Sequence, residues 1–383
     1  KNVRILHLGK FYPPAHGGME TFIAALAEAQ ALAAGAKVGA LVHAHDRSGY
    51  SEYAGVQLWR VPTWGNVLYA PISPAFPFWL KRILDQFKPQ ILHLHLPNPS
   101  AFWVLFSSAA RRLPWVVQWQ SDVLVSTQID RRLALAYRFY APFEQAVLAR
   151  AQRIVVASPP YLESSLALAN WRRKCSVVPL ALADTVAAEL AQPTPADAVK
   201  WGQRGVRVLA VGRLTYYKGF EVLIRAAAGC PDIQVAIIGE GERRPQLEKL
   251  IAELGIGQRV RLLGGLSNDE VRRLFRSADI FCLSSVERTE AFGMVLLEAM
   301  AAGTPIIASD IPGSGVSWVL QGNETAALVP PGDATALSGA LTKMSGELAR
   351  GQFGGAGNTR YKELFQMASV VSQLSRIYQA AIS

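Results

Sequence analysis

Short runs rich in valine, isoleucine and leucine alternate with helical stretches along the whole chain. Runs of this kind are typical of parallel strands buried by helices on both faces, so the sequence predicts an α/β fold. The runs form two series, at 3–9, 37–43, 91–96, 115–120, 153–158 and 175–182, and at 206–214, 233–241, 259–266, 278–285, 304–310 and 326–333. We therefore predict two doubly wound, Rossmann-like domains that face each other across a cleft.

The segment between the two series sets the predicted domain boundaries. Residues 185–205 are polar and contain proline, which is typical of a linker. The prediction is an N-terminal domain at 1–184 and a C-terminal domain at 206–360, followed by a helix at 361–383 that crosses back to the first domain. A chain of 383 residues is long enough for each domain to bury its own core.

Composition restricts the class of protein. Half of the residues are hydrophobic and 18% are charged, which excludes a disordered chain. The three cysteines, Cys175, Cys230 and Cys282, are widely spaced, which favours buried thiols in a reducing compartment over a disulfide framework or a zinc site. No apolar run is long enough to span a bilayer and no signal peptide precedes the first run, so we expect a cytoplasmic protein.

The net charge of +10 is concentrated in the first half of the chain. Residues 1–184 carry 19 basic and 10 acidic residues, against 20 and 19 in 185–383. The excess favours an anionic partner, either a membrane surface or a phosphorylated acceptor, whereas nucleic acid is disfavoured because the basic residues are dispersed. A basic amphipathic stretch at 131–153 could lie on the inner face of the cell membrane, or could be a helix on the sheet with solvated arginines. Its candidate acceptor and membrane residues are Arg131, Arg132 and Arg138.

Ligands of open α/β sheets bind beyond the carboxyl ends of the strands, so the loops there are the candidate sites. After the first strand, Gly17-Gly18 opens a predicted helix, where backbone N–H groups can meet an anion. The alternative is a tight turn that needs a positive φ. After the first strand of the second series, Arg213 and Lys218 precede another helix and could clamp a diphosphate, or be two solvated cations.

The stretch SSVERTEAFGMVLLEAMAAGTPIIASD at 284–310 contains two glutamates, Glu290 and Glu298, in apolar surroundings. A helix is predicted from about Met294, so the eight-residue spacing would return both carboxylates to nearly the same face. Carboxylates accept hydrogen bonds from vicinal sugar hydroxyls, and the N–H groups at Gly293 and Met294, next to Phe292, could receive phosphate oxygens. The alternative is that Glu298 faces solvent.

Two further candidates follow the fourth run, which reads VVQWQSDV at 116–123. Gln120 and Asp122 lie at the strand end as candidate catalytic residues, although Asp122 could instead cap the next helix. The six histidines, among them His16, His93 and His95, show no metal-ligand spacing on a shared face, so no metal site is predicted.

Taken in this order, the motifs resemble the retaining glycosyltransferases of family 4, which have the GT-B fold. Glu290 and Glu298 match the family's E-x7-E signature. The supporting motifs are the Gly17-Gly18 loop, the GR…KG loop with Arg213 and Lys218, and AAGTPIIASDIPG at 301–313. The resemblance implies transfer of a sugar from a nucleotide-sugar donor with retention at the anomeric carbon, without a required metal or other cofactor.

The resemblance also implies roles for individual residues. The cations Arg213 and Lys218 and the backbone at Gly18 would neutralise the diphosphate. Glu298 would hold the ribose hydroxyls, while Glu290 would contact the sugar hydroxyls. Fixed cations and helix N-termini would then meet the charge that develops on the leaving group. The remaining donor-binding residues implied are Gly241 and Leu266 beside the base, with Phe292, Gly293 and Met294 at the helix start.

The sequence departs from the family at Gln120, where many relatives have a histidine that contacts the donor sugar. Glutamine keeps a hydrogen bond but cannot titrate near neutral pH. The motifs of this chain most resemble those of bacterial transferases for lipopolysaccharide and exopolysaccharide. The resemblance implies GDP-mannose or a GDP-deoxyhexose as the donor and a glycan or a polyprenyl-diphosphate-linked molecule as the acceptor. Two alternatives stay open, namely a catalytically weakened nucleotide-sugar-binding protein and a GT-B-fold epimerase acting on a UDP-sugar.

Overall fold

The structure, a computed structural model, describes residues 3–14, 17–33, 35–67, 70–123, 131–193, 201, 205–351 and 359–383. It divides into two compact units. Unit 1 comprises Lys1–Ala183 with Met367–Ser383, and unit 2 comprises Asp184–Gln366. Among the described helices, none is both long and apolar enough to cross a lipid bilayer.

Unit 1 is built on an eight-stranded sheet with the order β10-β9-β8-β7-β1-β2-β4-β3. All neighbours are parallel except β3, which runs antiparallel to β4 at one edge. The strands are β1 Val3–Leu8, β2 Ala36–His43, β3 Gly49–Tyr53, β4 Val56–Val61, β7 Ile91–Leu96, β8 Trp115–Trp119, β9 Arg153–Val156 and β10 Cys175–Val177, and a separate hairpin joins β5 Gly65–Val67 to β6 Ala70–Ile72. The central strands are fully buried, as their apolar sequences predict.

Helices accompany this sheet, including one from the end of the chain. They are α1 Gly18–Leu32, α2 Phe76–Phe87, α3 Ser108–Arg111, α4 Arg131–Arg150, α5 Pro159–Ser164 and α14 Met367–Ile382. Helix α14 belongs to this unit because it packs against α1 and buries Leu374 and Tyr378.

Unit 2 contains a six-stranded, wholly parallel sheet with the order β13-β12-β11-β14-β15-β16. Its strands are β11 Val206–Val211, β12 Ile233–Ile238, β13 Val260–Gly264, β14 Ile280–Leu283, β15 Ile306–Ser309 and β16 Ala326–Val329. Its helices are α6 Asp184–Leu190, α7 Phe220–Ala228, α8 Arg244–Glu253, α9 Asn268–Ser277, α10 Met294–Ala302, α11 Val316–Leu320, α12 Ala334–Ala349 and α13 Thr359–Leu364. The strand order reverses beside β11, which is where doubly wound sheets bind ligands.

All twelve runs predicted as strands are strands, so the doubly wound α/β prediction is confirmed for each unit. The predicted runs extend up to five residues beyond the strands because apolar loop residues continue the pattern. The predicted linker at 185–205 is wrong at its start, where α6 forms instead. Glu189 of α6 pairs with Arg272 of α9 at 2.6 Å, and Leu190 is buried, so α6 packs within unit 2.

Candidate functional site

The loop after β11 brings a lysine onto the first of the two signature glutamates. Lys218 ends a 3₁₀ turn before α7, and its Nζ donates to Oε2 of Glu290 at 2.6 Å. The two side chains are 12% and 9% exposed, so solvent screens this ion pair little. Burial acts to lower the pKa of Lys218, but the neighbouring Glu290 carboxylate outweighs burial and the pKa is raised. The lysine therefore stays charged.

Two serines hold Glu290 in place. Ser285 Oγ donates to Glu290 Oε2 at 2.8 Å, and the Ser314 hydroxyl donates to the Glu290 backbone carbonyl. The N–H of Gly315 also donates to the carbonyl of Ala291 at 2.8 Å, which fixes the adjoining loop. Because these side-chain contacts use Oε2, Oε1 is the atom with which Glu290 can accept from a ligand.

Glycine is required where this loop meets the lysine. Gly219 has a φ of 62°, and a Cβ there would collide with the carbonyl oxygen of Ser284. The two segments are joined by a hydrogen bond from Ser284 Oγ to the Lys218 carbonyl at 3.0 Å and from Val286 N to the Tyr217 carbonyl at 2.8 Å. The end of β14 thus lies directly against the turn that carries Lys218.

Helix α10 begins and ends at glycines, as the sequence predicts. Gly293 and Gly303 are left-handed, with φ of 80° and 71°, and flank a helix at Met294–Ala302. Phe292 is buried edge-on against Phe365, with the ring centres 6.0 Å apart, which anchors the chain before the helix start. The N–H groups of the first turn lie at the positive end of the helix dipole, so this helix N-terminus favours an anion.

The second glutamate lies in a different electrostatic environment from the first. Glu290 is in the loop before Gly293, so the predicted shared helical face does not describe the pair. Glu298 is half-buried on α10, and burial raises its pKa to about 7 while the Arg272 guanidinium acts to lower it. The alternative in which Glu298 simply faces solvent is therefore wrong.

The other candidates in unit 2 surround the same strand ends. Arg213 is exposed, and its charge acts on Lys218, so the predicted pair of cations is brought together. Gly241 approaches the turn after β11 so closely that a Cβ there would collide with the Leu214 carbonyl oxygen. Leu266 is half-buried in the loop after β13. These residues form one group at the carboxyl edge of the unit 2 sheet.

In unit 1, the Gly-Gly loop opens helix α1 at Gly18. Gly17 has a φ of 162°, which is extended backbone, so the tight turn with positive φ is not what requires glycine here. The carboxylate of Glu20, in the first turn of α1, occupies the space that a side chain at Gly17 would need. A carboxylate at this end is stabilised by the helix dipole, as an external anion would be. His16 lies outside the described residues.

Gln120 and Asp122 come after β8 and are held by side chains of unit 1. Asp122 Oδ1 accepts from Trp119 Nε1 at 2.9 Å and from Ser165 Oγ at 2.6 Å, and the Asp122 N–H donates to the Tyr161 hydroxyl at 2.7 Å. These bonds give Asp122 a clear role in organising the loop. Gln120 is 8% exposed, and its Nε2 lies 3.3 Å from His95 Nδ1.

Sequence reasoning missed a buried cluster of three histidines. His93 and His95 alternate along β7 and therefore share a face of the sheet, and His7 of β1 pairs directly with His93. Their ring centres lie 4.5–5.2 Å apart, and one ring nitrogen of each falls within 4.8 Å of the others. The expectation that the histidines show no metal-ligand spacing on a shared face is thus wrong for His93 and His95. The H-x-H pattern in a predicted strand was the available signal.

Helix α4 carries the basic stretch singled out in the sequence. Arg132 and Arg138 are exposed, and the side chain of Arg131 lies outside the described residues. Aromatic and aliphatic side chains are exposed beside them. We call these the aromatic patch, formed by Trp103, Phe106, Leu135, Phe139 and Phe143, which are 41–72% exposed.

Comparison with known proteins agrees with both units. A family model described as glycosyl transferase 4-like domain matches residues 17–181, and one described as glycosyl transferases group 1 matches residues 197–347. The O-antigen chain mannosyltransferase C of Escherichia coli is 26% identical over 380 residues, which cover 98% of each chain. The D-rhamnosyltransferase WbpZ of Pseudomonas aeruginosa is 30% identical over 280 residues, covering 72% of this chain and 69% of the relative.

Solved structures share the fold. Sucrose-phosphate synthase from Thermosynechococcus elongatus has a TM-score of 0.80 at 24% identity, with 98% of each chain covered. HepE from Anabaena, solved in complex with UDP, has a TM-score of 0.74 at 18% identity and covers 99% of this chain and 100% of its own. With the paired glutamates, the cationic turn and these matches, the chain belongs to the family 4 glycosyltransferases and has their GT-B fold.

Proposed function

We propose that the chain transfers a hexose from a nucleotide-sugar donor to a glycan or lipid-linked acceptor, with retention at the anomeric carbon and without a bound metal. The observation that carries this is the Lys218–Glu290 ion pair at the carboxyl edge of the unit 2 sheet. This pair places a fixed cation beside a carboxylate that can accept a hydrogen bond from a hydroxyl. Such a pair suits the junction between a diphosphate, which needs a cation, and its sugar, which offers hydroxyls.

Each group in the site has a role in this chemistry. Lys218 and Arg213 neutralise the charge that develops on the departing nucleoside diphosphate, and the N-terminus of α10 receives its phosphate oxygens. Glu290 accepts from a sugar hydroxyl through Oε1. Glu298 holds the ribose hydroxyls, and a carboxyl with a pKa of about 7 is protonated in part near neutral pH. Asp122 organises the loop that carries Gln120.

The sugar proposed is mannose or a related deoxyhexose carried on GDP. Relatives named as an O-antigen mannosyltransferase and as a rhamnosyltransferase support this choice. HepE was solved with UDP, so a UDP-sugar is the natural competitor in a donor screen. The corresponding process is assembly of a bacterial cell-surface polysaccharide, such as lipopolysaccharide or exopolysaccharide.

A donor screen tests this proposal. Calorimetric titration of the full chain with GDP-mannose and UDP-glucose should give tighter binding for GDP-mannose, with no change in affinity when EDTA is added. Lys218→Ala should weaken binding at least tenfold, because a buried cation facing the diphosphate is lost. The control is Lys249→Ala, since Lys249 is 78% exposed and pairs only loosely with Glu253 at 3.7 Å. Equal affinities in the two variants would refute this placement of the donor.

We further propose that the aromatic patch, with the arginines of α4, docks on an anionic membrane surface where a polyprenyl-diphosphate-linked acceptor would be reached. Exposed aromatic side chains beside Arg132 and Arg138 combine apolar insertion with attraction to anionic headgroups. Phe139→Ser should reduce sedimentation with phosphatidylglycerol vesicles several-fold. Phe78→Ser is the control, because Phe78 is equally exposed at 76% but lies on α2. Equal sedimentation of both variants would contradict the docking.

Two rival functions are tested in the same reactions. A nucleotide-sugar-binding protein without turnover would bind GDP-mannose but release no GDP unless Gln120→His restored activity. An epimerase would convert a UDP-sugar without any acceptor. The present proposal predicts acceptor-dependent release of GDP by the chain with Gln120.

A further inference from the structure

Gln120 stands at one end of a continuous chain of hydrogen bonds inside unit 1. Its Nε2 lies 3.3 Å from Nδ1 of His95, and Nε2 of His95 lies 2.9 Å from Nδ1 of His7. The other nitrogen of His7 lies 2.8 Å from Oε1 of Gln30 on helix α1. All four side chains are at least 92% buried, so water does not compete for these bonds.

The chain continues to the C-terminal helix. Gln30 Nε2 donates to the Tyr378 hydroxyl at 3.0 Å, and that hydroxyl lies 2.7 Å from Nδ1 of His93. Tyr378 is 3% exposed and His93 is fully buried. Nε2 of His93 makes no further hydrogen bond of good geometry among the residues that the structure describes, although the buried Gln118 side chain is near enough to act to raise the pKa of His93, which burial lowers.

With the Gln120 and Gln30 amides oriented as the structure has them, the direction of every bond in the chain follows. An amide nitrogen can only donate, so His95 accepts at Nδ1 and carries its proton on Nε2. That proton is donated to Nδ1 of His7, which must then carry its own proton on Nε2 and donate to Gln30. Gln30 donates to Tyr378, whose O–H is left to donate to His93. All three imidazoles are therefore neutral with the proton on Nε2.

The opposite direction requires a concerted change. Both amides would have to rotate by half a turn and all three imidazoles would have to exchange tautomer. A protonated His7 or His95 would fit neither direction, because each of these rings accepts one hydrogen bond, at Nδ1 in one direction and at Nε2 in the other. Burial also lowers the pKa of His7 to about 4 and those of His93 and His95 well below the usual value, which keeps the rings neutral.

We propose that this buried chain fixes the rotation of the Gln120 amide, so that Gln120 offers a substrate only its carbonyl oxygen and selects a hydroxyl that donates. The inference rests on the proposed function for the identity of that hydroxyl, a hydroxyl of a sugar substrate. His95 and Tyr378 are positioning residues, since they act through Gln120. An amide carbonyl does not titrate, so this contact does not change between pH 6 and 8.

A metal held by the three histidines is the competing explanation of the cluster. Nitrogen ligands at about 2.0–2.1 Å from a tetrahedral zinc lie about 3.3 Å apart. The nitrogens of His7 and His95 are closer, at 2.9 Å, a distance typical of a hydrogen bond. Zinc would have to displace the shared proton, and no carboxylate belongs to the cluster to balance its charge.

Nitrogen-15 NMR of the histidine side chains in the full-length protein tests the proton positions without any substrate. We expect Nε2–H signals for His7, His93 and His95 between pH 6 and 8, unchanged by zinc. In Gln120→Glu the ionised carboxylate can only accept hydrogen bonds. This variant should therefore move the ring proton of His95, and that of His7, from Nε2 to Nδ1. Nδ1–H tautomers or imidazolium in the unmodified protein, or a zinc-dependent shift, would overturn the inference.

A kinetic comparison tests the consequence for catalysis. His95→Phe should lower kcat at least tenfold and leave the affinity for GDP unchanged, because the nucleotide is held by unit 2. His43→Phe is the control, since His43 is 1% exposed and makes two hydrogen bonds, to the Lys10 carbonyl and Ser100 Oγ, outside the chain. Equal kcat values for the two variants would contradict the positioning role. If NMR shows the expected tautomers but no sugar is transferred, the proposed function alone is refuted.

Discussion

Lys218→Met or Glu290→Gln each leaves one charge of a shielded ion pair without its partner. Removing one member of a buried pair typically costs about 3–5 kcal/mol, and we expect about 3 kcal/mol here because Ser285 still donates to Glu290. The double variant contains neither charge, so its cost should fall short of the sum of the singles by about 2 kcal/mol. That coupling corresponds to a factor of about 30 in the equilibrium between folded and unfolded states.

Hydrogen exchange measures this coupling locally. The chain has two units, so a single unfolding transition cannot be assumed for the whole chain. Exchange of peptides from β11 and β14 reports the opening free energy of unit 2 alone, and peptides from β7 in unit 1 serve as an internal control. Additivity of the two single variants within about 0.5 kcal/mol would refute the contact, because independent sites add to that accuracy.

Two further variants probe the same unit. Burial raises the pKa of Glu298 to about 7, so between about pH 5 and 7 the folded chain holds a proton that the unfolded chain releases, and stability falls as pH rises through this window. Glu298→Gln should remove that fall when hydrogen exchange of unit 2 peptides is measured at pH 5.5 and 7.5. An unchanged dependence of the opening free energy on pH would assign the fall to another group. Gly219→Ala should lower the free energy of unfolding by more than the roughly 1 kcal/mol expected for a positive φ, because the new Cβ would collide with the Ser284 carbonyl. The control is Gly339→Ala, which should not lower stability because Gly339 lies in α12 with open space around it. Hydrogen exchange of unit 2 peptides compares the two variants, and equal opening free energies would contradict the close approach.

Local signals predicted a large part of the fold. Continuous apolar runs marked the central strands because strands buried on both faces lack polar positions. Gly293 and Gly303 marked the ends of α10, since each is left-handed. The edge hairpin of β3 and β4 was not predicted, because GYSEY at 49–53 is polar and three of its five residues are exposed.

Contacts between distant segments could not be read from the sequence. Lys218 and Glu290 are 72 positions apart, and only the placement of β11 beside β14 brings their loops together. The histidine cluster depends likewise on β1 lying beside β7, and on Tyr378 returning from the end of the chain. Strand order is set by packing of the whole sheet, whereas each motif describes only the loop after its own strand.

We propose that this chain transfers a sugar with retention, and the product formed from GDP-α-[¹³C]mannose and a synthetic polyprenyl-diphosphate-linked sugar acceptor, analysed by ¹³C NMR, tests this. We predict an α-mannoside that appears together with GDP and is lost in Lys218→Ala. A β-mannoside, or consumption of the nucleotide sugar without acceptor, would contradict it.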